Sequence, residues 1–189
     1  MRVLGISGSL RRDSYNTALL RHAAELFRMK DAEFEIYIGL REIPPYDEDA
    51  DVAEAPEAVA QLRTAVREAH AVLFASPEYN SSIPGVLKNA VDWLSRPSLA
   101  ESALRGKPVA VVGASTGVFG AVWAQAELRK VLGASGARVI DGEVAVGRAM
   151  DRFGRDGSLN DESLEEQLRE VVDDLLAAAE RNDSGALAA

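Results

Sequence analysis

Val3-Leu4-Gly5-Ile6-Ser7-Gly8-Ser9-Leu10-Arg11-Arg12-Asp13-Ser14-Tyr15-Asn16-Thr17 opens the chain and decides how the rest is read. The first four residues are an apolar run, which predicts a buried strand. The next eleven crowd hydroxyls, an amide and two guanidiniums into a loop that then opens a helix. Glycine lets backbone approach an anion, free N–H groups at a helix start point at it, and Ser, Thr and Asn add neutral donors. A strand, loop and helix of this make-up suit a phosphate, and a nucleotide cofactor is the first hypothesis.

The same alternation continues downstream. Leu19, Ala23 and Phe27 put an apolar stripe on a helix from about 14 to 29. Phe34, Ile36 and Ile38 alternate as a second strand. Residues 41–56 read as a loop, with Asp47 to Asp51 as a solvated acidic stretch. Val59, Leu62 and Val66 mark a second helix. Continuous apolar strands follow at 71–75 and 109–112, the first leading through a loop into a helix over 85–95. After the second, Ala121, Ala124, Leu128 and Leu132 mark a helix. Arg138 to Ile140 begins a fifth strand. Asn160 with Asp161 and Glu162 predicts a capped acidic first turn for a last helix carrying Leu164, Leu168, Val171 and Leu175. Strands alternating with helices imply a parallel sheet covered on both faces.

The totals set bounds. At 189 residues one α/β domain over 1–182 is the economical reading, with 183–189 as a frayed tail. A core of that size buries about 70% of the unfolded surface. Hydrophobic residues are 47% and charged residues 27% of the chain, as in ordinary soluble domains. The absence of cysteine excludes disulfides, thiolate metal sites and cysteine catalysis, and fits a reducing cytoplasm. A net charge of −9 without a basic patch argues against a nucleic-acid partner. No apolar run is long enough to span a bilayer, and no signal peptide is expected. The expected location is cytoplasmic.

Three unusual loops, 7–16, 76–84 and 113–120, follow the first, third and fourth strands. In a doubly wound sheet they emerge together at the carboxyl edge, where ligands bind. Spacing thins the nucleotide alternatives. Gly106-Lys107 is followed by Pro108, so no P-loop exists. Gly5 and Gly8 lack the third glycine of a dinucleotide fingerprint. A phosphoryl-receiver domain wants an aspartate at the end of the third strand, where this chain has Ser76-Pro77. His22 and His70 lie away from the loops, lack ligand partners at useful spacing and read as structural. No metal site is expected.

At this point the residues carry a resemblance. Gly8-Ser9-Leu10-Arg11 with Ser14 and Asn16 resembles the phosphate loop of the NADPH-dependent FMN reductase family. The run Ser76-Pro77-Glu78-Tyr79-Asn80-Ser81-Ser82-Ile83-Pro84-Gly85-Val86-Leu87-Lys88-Asn89-Ala90-Val91-Asp92-Trp93-Leu94-Ser95-Arg96 is longer and more specific. Gly113-Ala114-Ser115-Thr116-Gly117-Val118-Phe119-Gly120 is similar to the family's other flavin loop. Ala121 departs from the pattern, since many members repeat glycine there. The resemblance covers about residues 1 to 140. It implies a flavodoxin-like three-layer α/β/α sandwich with a five-stranded parallel sheet of order 2-1-3-4-5.

It also implies bound FMN, with NAD(P)H as co-substrate. Ser9, Leu10, Arg11, Ser14, Asn16 and Thr17 would hold the phosphate; the competing reading is that Ser14 and Asn16 only cap the helix. Pro77, Glu78, Tyr79, Asn80 and Ser81 would lie along the isoalloxazine ring. A carboxylate beside an electron-rich reduced ring is unfavourable, so the Glu78 side chain suits that position only if it points away. Ser115, Thr116, Gly117 and Gly120 would offer donors at the pyrimidine end. No side chain is expected to be catalytic, because flavin N5 carries the chemistry: hydride would pass from NAD(P)H to a quinone, azo compound, metal oxyanion or free flavin. A flavodoxin-type electron carrier and a flavin-free interaction protein remain as alternatives. The 85–95 helix has a wide apolar arc including Trp93. It would serve a homodimer or dimer of dimers, unless Trp93 simply closes the local core.

Overall fold

The apolar runs pair as parallel strands because each is followed by a helix that carries the chain back to the same end of the sheet. The computed structural model describes residues 1–51, 55–96, 98, 101–154 and 156–186. Its elements are β1 (Arg2–Ser7), α1 (Tyr15–Arg28), β2 (Glu33–Tyr37), α2 (Glu57–Glu68), β3 (Ala71–Ala75), α3 (Gly85–Leu94) and β4 (Pro108–Ala114). They continue with α4 (Val122–Ala134), β5 (Arg138–Val139), β6 (Ala145–Val146), α5 (Ala149–Arg152) and α6 (Glu162–Ala186). The strand order is β2-β1-β3-β4-β5, with β6 also pairing β4. The parallel sheet covered on both faces is what the alternation implied, and its flavodoxin-like strand order is what the family resemblance implied.

Strand side chains alternate between two cores. Val3, Leu73, Ala75, Ala110 and Val112 face α1 and α6. Leu4, Ile6, Val72, Phe74, Val109 and Val111 face α2, α3 and α4. β3 and β4 are buried along their whole length, which explains why they read as continuous apolar runs.

Several local expectations change. β2 ends at Tyr37, so Ile38 is not part of its buried alternation and is 91% exposed. The fifth strand is split. β5 pairs the start of β4 and β6 pairs its end, and the chain bulges away between them. Arg129 of α4 fills that gap, donating from Nη2 to the carbonyls of Val111 and Gly142. Burial pulls its guanidinium pKa below the usual arginine range, while Glu143 and Asp141 oppose the shift. Asp161, not Asn160, caps α6, its Oδ1 accepting from Leu164 N at 3.0 Å.

The 41–56 loop contains two short 3₁₀ turns, Gly39–Glu42 reaching into it and Glu48–Ala50 within it; residues 52–54 lie outside the described residues. Its acidic stretch is not wholly solvated, because Asp51 pairs with buried Arg63 at 2.9 Å. The segment expected to fray from 183 continues as helix through 186, and 187–189 lie outside the described residues. Trp93 is fully buried: its Nε1 donates to the Pro44 carbonyl and its ring meets Tyr46 edge-on. It closes the local core and offers nothing to a second subunit.

Candidate active site

The loops after β1, β3 and β4 meet at the carboxyl edge of the sheet. They enclose a cleft of about 150 Å³ lined by Ser9, Arg11, Ser14, Tyr15, Asn16, Pro77, Glu78, Tyr79, Ala114, Ser115 and Thr116. Nine of these eleven residues were expected from the sequence. The other two, Tyr15 and Ala114, lie inside loops already singled out. Tyr15 stacks on Phe153 at 5.6 Å, a partner too distant in sequence to be read locally. Leu10, Thr17, Asn80, Ser81, Gly117 and Gly120 do not line the cleft.

The first loop is built around the start of α1. Ser14 is its N-cap, with Oγ accepting from the N–H groups of Asn16 and Thr17. Thr17 Oγ1 donates to Ser7 Oγ at 3.0 Å. Asn16 is buried and its amide is committed elsewhere. Nδ2 donates to the Ala114 carbonyl and Oδ1 accepts from Ala114 N, both at 2.9 Å. The side chain thus continues the sheet ladder and ties the first loop to the third. Leu10 packs on the α2–α3 side of the core, so it offers the cleft no side chain.

The second loop turns tightly. Tyr79 N donates to the Ser82 carbonyl at 3.1 Å, and Ser82 N returns the bond at 3.2 Å. The two central residues, Asn80 and Ser81, have φ of 53° and 58°. Two positive φ values in succession mark a type I′ turn. The Glu78 carboxylate points away from the cleft centre. Its Oε2 accepts from Trp123 N and Ala124 N, both at 3.1 Å. These are among the first N–H groups of α4, whose own N-cap, Ala121, has no side chain able to accept them. Ser82 Oγ donates to Glu127 on the same helix at 2.6 Å, so three bonds lock the second loop to α4.

The third loop is held against β6. Ser115 N donates to the Val146 carbonyl. Gly120 has φ +61°, and a Cβ there would lie 2.4 Å from the Ala145 carbonyl carbon. Gly120 is therefore fixed by packing and is not a contact residue of the cleft. The backbone keeps a left-handed path through Ala121 even without a second glycine, at φ 65°.

What remains available is donors. The backbone N–H groups of Leu10, Arg12, Asp13 and Tyr15 have no protein acceptor among the described residues. Ser9 Oγ and Ser115 Oγ accept from backbone N–H groups, leaving their protons to donate outward. The Arg11 guanidinium lies 5.2 Å from the Tyr15 ring centroid and pairs with no carboxylate among the described residues. Glu78, the one acidic residue of the lining, is turned to α4. A donor set with its carboxylate averted fits a phosphate and an electron-rich ring.

A family model described as NADPH-dependent FMN reductase matches residues 1–151. The chain belongs to this family. It is an oxidoreductase of the group that uses FMN with NAD(P)H as electron donor. Among relatives, an NAD(P)H-dependent FMN reductase of Pseudomonas aeruginosa is 42% identical over 179 residues, covering 94% of this chain and 92% of that protein. A 2-hydroxy-1,4-benzoquinone reductase of Burkholderia sp. is 40% identical over 131 residues, covering 69% of each chain. Among solved structures, the flavoenzyme NAD(P)H:(acceptor) oxidoreductase FerB from Paracoccus denitrificans superposes with a TM-score of 0.85 at 36% identity, covering 96% of this chain and 98% of that one. For an FMN reductase the division of labour among the loops is economical. Ser14, Asn16, Glu78 and Gly120 shape the site through bonds within the protein. Ser9, Arg11, Ser115 and Thr116 keep groups free for a ligand.

Proposed function

We propose that residues 1–182 act as one FMN-binding unit that passes hydride from NAD(P)H to a small acceptor: a quinone, an azo compound, a metal oxyanion or free flavin. The observation that carries this is the cleft itself, with uncommitted donors at the first loop and an exposed aromatic rim at the other end. Bound FMN supplies hydride acceptance and release at its N5. Arg11, Ser9 and the backbone N–H groups of the first loop hold the phosphate. Pro77 and Tyr79 border the ring, and Ser115 and Thr116 donate to its pyrimidine end, where negative charge develops.

Tyr79 is 51% exposed, and Phe119 and Trp123 stand exposed nearby in edge-to-face contact at 5.0 Å. An open aromatic rim suits flat donors and acceptors that take turns at one face, and it supports a broad acceptor range. Relatives named quinone reductase favour quinones first. Among the described residues no helix is long and apolar enough to cross a membrane, which is compatible with a cytoplasmic place of work. We also propose a homodimer through the outer faces of α3 and α4. Between them lies a groove of about 580 Å³ bearing Lys88, Asp92 and Lys130, and sedimentation of the holoprotein reads the state.

The function is tested by colour. FMN-loaded protein is expected to bleach on adding NADPH or NADH without oxygen and to regain its absorbance on adding 1,4-benzoquinone. Failure to retain FMN would reject the proposal. Retention of FMN without bleaching by either nicotinamide would favour the flavodoxin-type carrier instead.

A further inference from the structure

Beside the flavin cleft lies a second cavity of about 210 Å³, on the β2 side of the first loop. Ser9 and Arg11 line both cavities, so the two adjoin at the first loop. Arg11, Arg12 and Arg41 all border the second one. None of the three has a carboxylate partner among the described residues. Arg11 lies over Tyr15, and Arg41 Nη2 donates to the Leu10 carbonyl at 2.9 Å, which fixes it against the loop. Arg12 is exposed, and its side chain makes no hydrogen bond, ion pair or ring contact among the described residues.

In a chain of net charge −9, three unneutralised guanidiniums around one cavity are a local inversion of the field. Glu42 is the single carboxylate of the lining. Its charge, after burial, raises the pKa of the Tyr37 phenol, which places it on the Tyr37 side of the cavity. With Arg11 committed to the flavin phosphate, Arg12 and Arg41 against Glu42 leave the cavity positive by one charge. The rim also carries Ile38, an exposed aliphatic side chain that no core packing explains. Positive charge at guanidinium forks beside an apolar platform matches a phosphate attached to an aromatic base.

We propose that this cavity seats the phosphate-bearing adenosine end of the nicotinamide cofactor, with Arg12 and Arg41 on the phosphate and Ile38 against the adenine. The inference rests on the reading of the protein as an FMN-dependent NAD(P)H oxidoreductase. It adds the residues that hold the electron donor and set its identity. The phosphate has two sources, the 2′-phosphate of NADPH or the pyrophosphate common to both nicotinamides, and kinetics with both donors separates them.

The test uses FMN-loaded protein and three variants. At saturating FMN, Arg12→Glu is expected to raise the KM for NADPH roughly tenfold or more, the loss of one charge-assisted contact, and by a larger factor than any change in kcat. Arg12→Lys is expected to recover part of the loss. Arg21→Glu, the same charge change at an exposed position of α1 outside the cavity, is expected to leave KM unchanged. A rise confined to NADPH assigns the 2′-phosphate, and an equal rise with NADH assigns the pyrophosphate. An unchanged KM for both donors in Arg12→Glu, or an equal effect of Arg21→Glu, overturns the proposal. Calorimetric titration of FMN-loaded protein with 2′,5′-ADP and 5′-ADP keeps the two readings apart. If wild type oxidises neither nicotinamide but binds one of these in an Arg12-dependent way, the cavity stands and the function falls. If wild type binds neither, the cavity assignment falls.

Discussion

Ser81 and Ala121 are both L-residues held at positive φ, and the space around each decides what glycine would do there. A left-handed L-residue costs about 1–2 kcal/mol. Glycine removes that strain but adds about 0.4–1 kcal/mol of unfolded-state entropy. Ser81 is exposed and follows Asn80 in a type I′ turn, for which Asn-Gly is the preferred pair. Ser81→Gly is therefore expected to stabilise the protein by roughly 0.5–1 kcal/mol. Ala121 is 1% exposed, so glycine there also forfeits a buried methyl of about 0.8 kcal/mol. Ala121→Gly is expected to be close to neutral. Urea midpoints at unchanged slope measure both changes. A large gain from Ala121→Gly would mean that the Ala121 methyl contributes little to packing. The same arithmetic explains why the chain tolerates alanine at this left-handed position.

At the scale of elements, the second loop and α4 form one unit through Glu78. Removing that carboxylate orphans the N–H groups of Trp123 and Ala124. Loss of such a cap costs about 0.5–2 kcal/mol, and its charge on the helix dipole accounts for about 0.3–1 of that. Glu78→Ala is expected to lower stability by about 1 kcal/mol and weaken FMN binding several-fold, because the ring-side loop loses its anchor. Glu78→Gln, which keeps an acceptor oxygen, is expected to recover most of both. A carboxylate facing the flavin would behave oppositely, with either substitution tightening FMN; flavin fluorescence titration separates the cases. The sequence reading named Glu78 for the candidate cleft, which it lines, but not where its carboxylate went, since its partners lie 45 and 46 residues away. Helices and central strands were legible because apolar periodicity is a local property. The fifth strand was not, because its two pairing pieces are two residues each and the Arg129 side chain supplies bonds that a strand backbone would have made.

At the scale of the whole molecule, sequence reading reached the strand order and the edge at which three loops meet. It did not reach what joins those loops before any ligand arrives. The join is Asn16, 98 residues from Ala114, and it ties the start of α1 to the end of β4. If Asn16 is a clamp, its loss should be felt by the flavin-free protein. Asn16→Ala leaves a buried N–H and a buried carbonyl of Ala114 unpaired, at about 1–3 kcal/mol each. That is a large share of the roughly 5–15 kcal/mol that holds a domain of this kind together. Flavin-free Asn16→Ala is therefore expected to lose about 2–4 kcal/mol in urea unfolding while remaining folded in water. FMN adds stability to the wild type by mass action, about 2.7 kcal/mol at a hundred times its Kd. If Asn16 served mainly as a phosphate ligand, the flavin-free proteins would unfold alike and only this FMN increment would shrink. Unfolding wild type and variant with and without FMN thus assigns Asn16: a loss already present without flavin makes it the clamp that preforms the site, and a loss confined to the FMN-saturated protein makes it a ligand.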